Sequence, residues 1–532
     1  MAFLNTNSIK STLVKNMLKP FTNRRWLQKG VLLCISALAL CCAHTNAWAA
    51  PTIDTTWANA GRLTFNMNGG TQSTGQQVLQ VADGKLLVLG YCTSQATADY
   101  CVRRLNADGS NDTTFGTGGQ GETVINLGGQ DFPSVMEVGT DGKIVIGGNG
   151  ISGQLVRLLP NGLIDATFGN NGIATTGVPR IYSLRVRGDG KIVFTGECWS
   201  TAPRFCVGRA NSNGAFDPSF NSGAPLQFTP AGTAAGKAAI SRALAHAPNG
   251  AVYIGGGCEA STTATSHLQF CVAKVSPAGT LDPSFGASGV MNFAILGAYD
   301  QIESLALQSD GKLLAAGTCL DSSTGEQRLC IARYGNTGLD STYGNGAGYV
   351  SIALGSTSIV YHARVQVQPD GKALMTGYCY SAKMICLVRL NDDGTPDTAF
   401  SGGGIFYLPL ANPATVPTQT TMWASGAVPV GRSGDKLIAF GHCGPQANSS
   451  AYAPCLVKVN IAPPAASVCS LDIDGDGRVG STTDALLLAR IALGITGSAV
   501  IAGGAANPSG ERSTWPLIQD YLTRHCGMNL VP

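Results

Sequence analysis

The feature that most constrains this 532-residue chain is a recurrence with a period near sixty residues. A tight turn between two apolar runs returns at Asp83-Gly84, Asp141-Gly142, Asp189-Gly190, Asn249-Gly250, Asp310-Gly311, Asp370-Gly371 and Ser433-Gly434, at steps of 58, 48, 60, 61, 60 and 63 residues. Asp-Gly and Asn-Gly between apolar stretches signal hairpins, because such tight turns need positive φ. After each turn a strand such as Lys85-Leu86-Leu87-Val88-Leu89 runs into a glycine: Gly90, Gly147, Gly196, Gly256, Gly317, Gly377 and Gly441. A third strand ends in a basic residue: Arg104, Arg157, Arg209, Lys274, Arg333, Arg389 and Lys458. A second turn leads to an Asp-x-x-aromatic motif, at Asp112/Phe115, Asp165/Phe168, Asp217/Phe220, Asp282/Phe285, Asp340/Tyr343 and Asp397/Phe400.

That last series has one member fewer than the others. The final repeat stops at Val459-Asn460, and the missing copy sits at the other end as Asp54-Thr55-Thr56-Trp57. A ring of blades closes by completing its last unit with an N-terminal fragment, whereas an open solenoid needs atypical caps. The chain is therefore expected to be all-β, a seven-bladed β-propeller over residues 50–462 closed by the N-terminal strand. A β-solenoid is the alternative architecture. Segments such as Leu105-Asn106-Ala107-Asp108-Gly109 with Asp112-Thr113-Thr114-Phe115-Gly116, and Gln368-Pro369-Asp370-Gly371-Lys372, resemble the bacterial delta-60 repeat. The resemblance covers nearly all of residues 50–460. It implies an exported β-repeat protein and carries no catalytic residues across.

Residues 1–49 read as a signal peptide. Six Lys and Arg precede an uncharged apolar run over 31–42, and Ala47-Trp48-Ala49 supplies the small residues of a cleavage site. Twelve apolar residues are too few to span a bilayer, so no transmembrane anchor is expected. Arg24-Arg25 matches a twin-arginine signal only in part, which leaves the export route open. The whole chain has 35 Lys+Arg and 32 Asp+Glu, and losing the six basic residues leaves 29 against 32, a net of −3. The basicity belongs to the targeting segment, so no nucleic-acid partner is expected. The mature chain should be secreted or periplasmic, with a monomeric propeller.

Of 17 cysteines, Cys34, Cys41 and Cys42 lie in the signal, which leaves an even number in an exported chain. Parity and compartment point to disulfides. In six units a cysteine ends the second strand and another opens the third, predicting Cys92–Cys101, Cys198–Cys206, Cys258–Cys271, Cys319–Cys330, Cys379–Cys386 and Cys443–Cys455. The second unit has Asn149 and no cysteine. Zinc ligation would need tighter Cys-x-x-Cys spacing and accompanying histidines.

Past Pro463-Pro464-Ala465-Ala466 the pattern changes, and 463–532 read as a linker and a small helical module. Asp472, Asp474 and Asp476 take loop positions 1, 3 and 5, Gly477 permits the sharp turn, and Arg478 offers its carbonyl. Hard oxygens so spaced converge on calcium. The run resembles the first loop of a dockerin or an EF-hand. The closing position holds Thr483, so Asp484, one residue on, would complete the ligand set. Helices follow over the Leu486–Leu493 stretch and over 514–525. Dockerins carry two such loops and this chain has one, which leaves a structural calcium knot and a docking surface both open. Cys469 and Cys526 would bridge the two ends of the module.

Five histidines remain in the mature chain, at 246, 267, 362, 442 and 525, none in a metal motif, and no Gly-x-Ser-x-Gly elbow occurs. His442 reads as a variable strand-end residue. The recurring basic residue and Asp read as a repeated intra-blade ion pair, the alternative being a charged ring around a channel. The expected function is a non-enzymatic binding or scaffold role toward a protein or glycan at the blade loops. The alternative is a propeller hydrolase or lyase acting on polysaccharide.

Overall fold

A computed structural model describes residues 51–461 apart from 70–71, 95–96, 150–152, 200–201, 261–266, 356–359, 369, 380–383, 402, 411–419, 431–435 and 446–451. Beyond 461 it describes 473, 484–492, 495, 498–502, 506, 515 and 518–519. The signal peptide, the linker, Asp472, Asp474, Asp476, Arg478, Cys469 and Cys526 lie outside the described residues.

The sixty-residue period is a run of antiparallel up-and-down sheets. In a representative unit the inner strand Ala239–His246 pairs with Val252–Glu259, which pairs with Leu268–Val275, which pairs with Val290–Phe293. The second strands are largely apolar and buried at nearly every position. That pattern follows from having a neighbouring sheet on each face rather than water on one. The core lies between successive sheets: Phe270 and Phe285 of one unit meet Leu313 and Ala315 of the next. Leu86 and Val88 of the first unit pack with Ile438 and Phe440 of the last and with Trp57.

The other inner strands are Gln77–Gln80, Phe132–Val138, Arg180–Val186, Gln301–Leu307, Val360–Val367 and Thr420–Val430. Each packs against the inner strand of the next unit, and the last packs against the first. At the chain's start, Thr52–Ile53 and Arg62–Thr64 both pair with Ala453–Asn460, placing Thr52 opposite Asn460 and Thr64 opposite Cys455. The N-terminal segment thereby supplies the last unit's missing Asp-x-x-aromatic copy. Asp54 meets Lys436 at 2.9 Å and Lys458 at 3.9 Å.

The six predicted disulfides Cys92–Cys101, Cys198–Cys206, Cys258–Cys271, Cys319–Cys330, Cys379–Cys386 and Cys443–Cys455 are present. The partners are not directly opposite, as simple hairpin facing would have them. Cys258 faces Gln269 while Cys271 faces Gly256, so the bond crosses the ladder diagonally. A cysteine opposite glycine has room to reach across. Disulfides in this number belong to an oxidising setting, extracellular or periplasmic. Where the cysteine pair is missing, the sheets of the second and third units run together: Asn149 pairs with Arg180 of the next inner strand. No helix among the described residues is long and apolar enough to cross a membrane.

In the C-terminal module, Asp484–Ala492 and Ser498–Ile501 are helical. Leu487, Ile491, Val500 and Ile518 close a small core with Ile473. Buried Asp484 heads the first helix and accepts a hydrogen bond of 2.5 Å from the Ile473 amide.

Candidate functional site

Two sets of polar residues recur around the sheets, and only one of them differs from unit to unit. The recurring set is structural. In the third unit, the Asp217 carboxylate accepts bonds from Lys191 at 2.7 Å, Arg209 Nε at 2.6 Å and the Ser219 hydroxyl at 2.7 Å. Arg209 lies over the Phe220 ring at 4.8 Å and donates to the Pro277 carbonyl of the next unit at 2.7 Å. The arrangement repeats in Asp112 with Lys85 and Arg104, in Asp165 with Lys143 and Arg157, in Asp340 with Lys312 and Arg333, and in Asp397 with Lys372 and Arg389. The sequence repeat thus encodes a staple. The Asp ties two cations of its own unit, and the arginine ties that unit to its neighbour.

Burial opposes ionisation of Asp112, Asp165, Asp217 and Asp340, but hydroxyl and cation bonds outweigh it and hold each well below the usual carboxylate range. Asp282, bonded to Ser284 and Lys274, is brought to about 2. A carboxyl whose folded pKa is depressed stabilises the fold above its unfolded pKa, and that contribution is lost as pH falls through the folded value. The urea midpoint of the mature chain should therefore fall steeply below about pH 4, the unfolded Asp value. Asp282→Asn should make that acid limb shallower.

The second set stands where six of the inner strands bulge. Register shifts occur between Pro133 and Val135, Ile181 and Ser183, Ser241 and Ala243, Ile302 and Ser304, Tyr361 and Arg364, and Ala424 and Gly426. A bulge leaves its extra residue out of the ladder and re-aims the side chain. The extra residues are Ser134, Tyr182, Arg242, Glu303, His362 with Ala363, and Ser425, serine in two units and a different chemistry in each of the others. The recurring glycine of the second strand explains the bulge. A Cβ on Gly196, Gly256 or Gly317 would sit 1.8 Å from the carbonyl oxygen of Arg180, Ile240 or Gln301, just before the bulged residue. Only glycine lets the inner strand come that close.

Five of these residues, Ser134, Tyr182, Arg242, Glu303 and His362, line a cavity of about 710 Å³ among the inner strands, together with Arg185, Arg364 and Tyr361. Arg242 stacks on the Tyr182 ring at 5.0 Å, and its buried Nε has no hydrogen-bond partner. Glu303 accepts a 2.6 Å bond from the Ala363 amide, and burial raises its pKa. Arg364 donates to the Ser425 carbonyl at 3.2 Å, and Arg185 lies 3.4 Å from Glu137. His362 has φ of 57°, a left-handed conformation uncommon for histidine and of the kind that gathers at functional sites. Its environment and the charges of Arg364 and Arg242 bring it to about 4, so it is neutral near pH 7. His442, expected to be a passive strand-end residue, stacks edge-on against Tyr452 at 5.4 Å and is brought to about 4 by burial and by His362.

The disulfides, the recurrent glycines and the ion pairs fall where the repeat places them. The cavity cluster was missed, because blade-by-blade inspection of the sequence finds no concentration of acids, bases or histidines in any one unit. Five units each contribute a bulge residue, and the topology gathers them. Among the described residues, no group of His, Cys, Asp and Glu is arranged to hold a metal ion.

Comparison with protein families agrees on a β-propeller-like repeat. A family model described as a domain of unknown function (DUF5122) beta-propeller matches residues 82–115, 139–168, 187–220, 308–339 and 368–400. The chain is thus a β-propeller-like repeat protein. No curated protein sequence matches it. Similar solved structures include a protein of unknown function from Bacteroides caccae, 12% identical, covering 60% of this chain and 98% of that one with a TM-score of 0.29. The polysaccharide lyase Uly1 is 11% identical, covering 78% of this chain and 95% of that one, with a TM-score of 0.41. Extracellular domains 1–2 of Drosophila Semaphorin 1a are 11% identical, covering 76% and 90%, also at 0.41.

Proposed function

We propose that this protein is an exported, non-enzymatic binding protein, a closed seven-bladed propeller that seats a glycan or a protein segment in its central cavity. The closed ring is supported by the packing of the last inner strand on the first and by the N-terminal strands on Ala453–Asn460. The binding role rests on one observation: five inner-strand bulges aim five different side chains into one cavity. Residues that merely hold blades together repeat, as the Asp staples do, whereas residues that read a ligand have no reason to. A cavity of about 710 Å³ suits a small molecule or a chain end rather than a folded domain.

The test is binding of envelope glycan fragments to the mature chain and to a Tyr182→Ala/Glu303→Ala form. The double change should weaken binding at least tenfold in a chain whose far-ultraviolet circular dichroism is unaltered. Unaltered binding would move the search to the outer loops. A second reading, a polysaccharide hydrolase or lyase in the same cavity, draws on the neutral His362 beside two arginines. Steady conversion of a glycan, abolished by His362→Gln, would establish it over the first.

The C-terminal module is proposed to bind calcium through Asp472, Asp474, Asp476, the Arg478 carbonyl and Asp484. Support comes from Asp484, whose carboxylate already reaches the Ile473 amide next to Asp472. When bound, the ion would tie the loop to the first helix. Titration of the mature chain with calcium should give binding in the micromolar to submillimolar range, abolished by Asp472→Ala/Asp476→Ala. No heat of binding would make the loop a remnant.

A further inference from the structure

Charge and shape within the cavity narrow what it can hold. Resting on the reading of the cavity as the binding surface, we infer that its ligand is a uronate-bearing oligosaccharide, with one sugar carboxylate taken by Arg242 and Arg364. Among the described lining residues, Arg185 has Glu137 as its partner, which leaves Arg242 and Arg364 facing Glu303 alone. Two cations against one acid leave a single positive charge uncompensated, and His362 adds none near neutral pH. An unpaired cation enclosed by protein is costly, so a monoanion that removes it binds with a large gain. The mature chain as a whole is negative, which makes this positive interior a local construction rather than a general basic surface.

The donors are also shaped for a carboxylate. Arg242 lies over the Tyr182 ring with its Nε unbonded, and Arg364 spends its Nε on the Ser425 carbonyl. A planar guanidinium pairs with a carboxylate through two parallel bonds, a geometry that neither a neutral hydroxyl nor an ester reproduces.

The rim argues for a sugar. Phe132, Tyr299 and Tyr361 line the cavity and are among the few large apolar side chains exposed to solvent, at 39%, 37% and 38%. Aromatic faces left in water beside a polar floor suit a ligand with one apolar face and a hydroxylated edge. The apolar face of a pyranose lies on such rings, and its edge meets amides such as Asn149 and Gln301.

The test is calorimetric titration of the mature full chain with trimers of galacturonate, glucuronate and mannuronate, each beside its methyl ester. At least one acid trimer should bind, with its ester at least tenfold weaker. Arg242→Gln and Arg364→Gln should each reduce acid binding at least tenfold and shrink the difference between acid and ester. Because the acid and ester are compared on the same unaltered protein, the result stands even if an arginine variant fails to fold. Equal binding of acid and ester, lost on Tyr182→Ala/Glu303→Ala, would overturn the uronate assignment and leave the cavity as the binding surface. Binding by none of the trimers overturns the assignment as well. A peptide with a free C-terminal carboxylate that binds more tightly than every trimer would replace it with a protein ligand. Loss of every interaction to outer-loop changes alone would overturn both readings.

Discussion

Under a thiol reductant the mature chain should unfold in urea at less than half the concentration that the oxidised chain withstands. Each of the six disulfides closes a loop of 7 to 13 residues in sequence separation. In the chain-entropy account a loop that short contributes about 2–3 kcal/mol. A domain's net stability is only about 5–15 kcal/mol, so losing all six removes an amount comparable to the whole. The bonds sit in the most buried strands, with Cys258, Cys271, Cys319 and Cys330 fully enclosed, so the reductant acts through transient opening and the effect will need hours or mild denaturant to develop. A double change at Cys258 and Cys271 should cost about 2–3 kcal/mol by itself. An unchanged urea midpoint after complete reduction, verified by thiol counting, would show that sheet packing alone holds the fold.

The second large effect concerns the staples. Asp217→Ala should lower stability by about 3–5 kcal/mol, because Lys191 and Arg209 lose their common acceptor while Arg209 stays buried. Thermal unfolding should shift down by several degrees. Asp189→Ala is the control. That side chain is 46% exposed and caps only its own turn, so about 1 kcal/mol or less is expected. If the two variants melt together, the staple is ornamental, and the inter-unit bond from Arg209 to the Pro277 carbonyl carries the load without it.

The difference between those two aspartates also explains what could be read in the chain beforehand. Asp217, Arg209 and the cysteines repeat, and repetition is a pattern that spacing exposes. Tyr182, Arg242, Glu303 and His362 occupy equivalent places and share no chemistry, so no spacing rule collects them. A signal did exist in the glycines. Gly196, Gly256 and Gly317 each stand fourteen residues after Tyr182, Arg242 and Glu303. Their conservation of place could be read as the end of a strand. Its actual cause, a carbonyl of the inner strand pressed against the glycine, needs the register of two strands to be known. The diagonal path of the disulfides was hidden for the same reason. The absent cysteine pair at Asn149 was visible at once, but not the pairing of Asn149 with Arg180 across two units.

The pairing of Thr52 with Asn460 has a consequence for how the molecule comes to exist. These residues are separated by 408 positions, and bringing the ends of such a span together costs roughly 5 kcal/mol of chain entropy beyond a constant. Local hairpins can form as soon as each unit emerges from the ribosome or the translocation pore. The terminal sheet cannot, because its first strand is made at the outset and its partner at the close. Until synthesis passes residue 460 the early strand waits with open backbone groups, a natural client for chaperones and a point of vulnerability to proteases. Folding should then show a fast phase from the individual hairpins and one slow, concentration-independent phase in which the two extremities find each other.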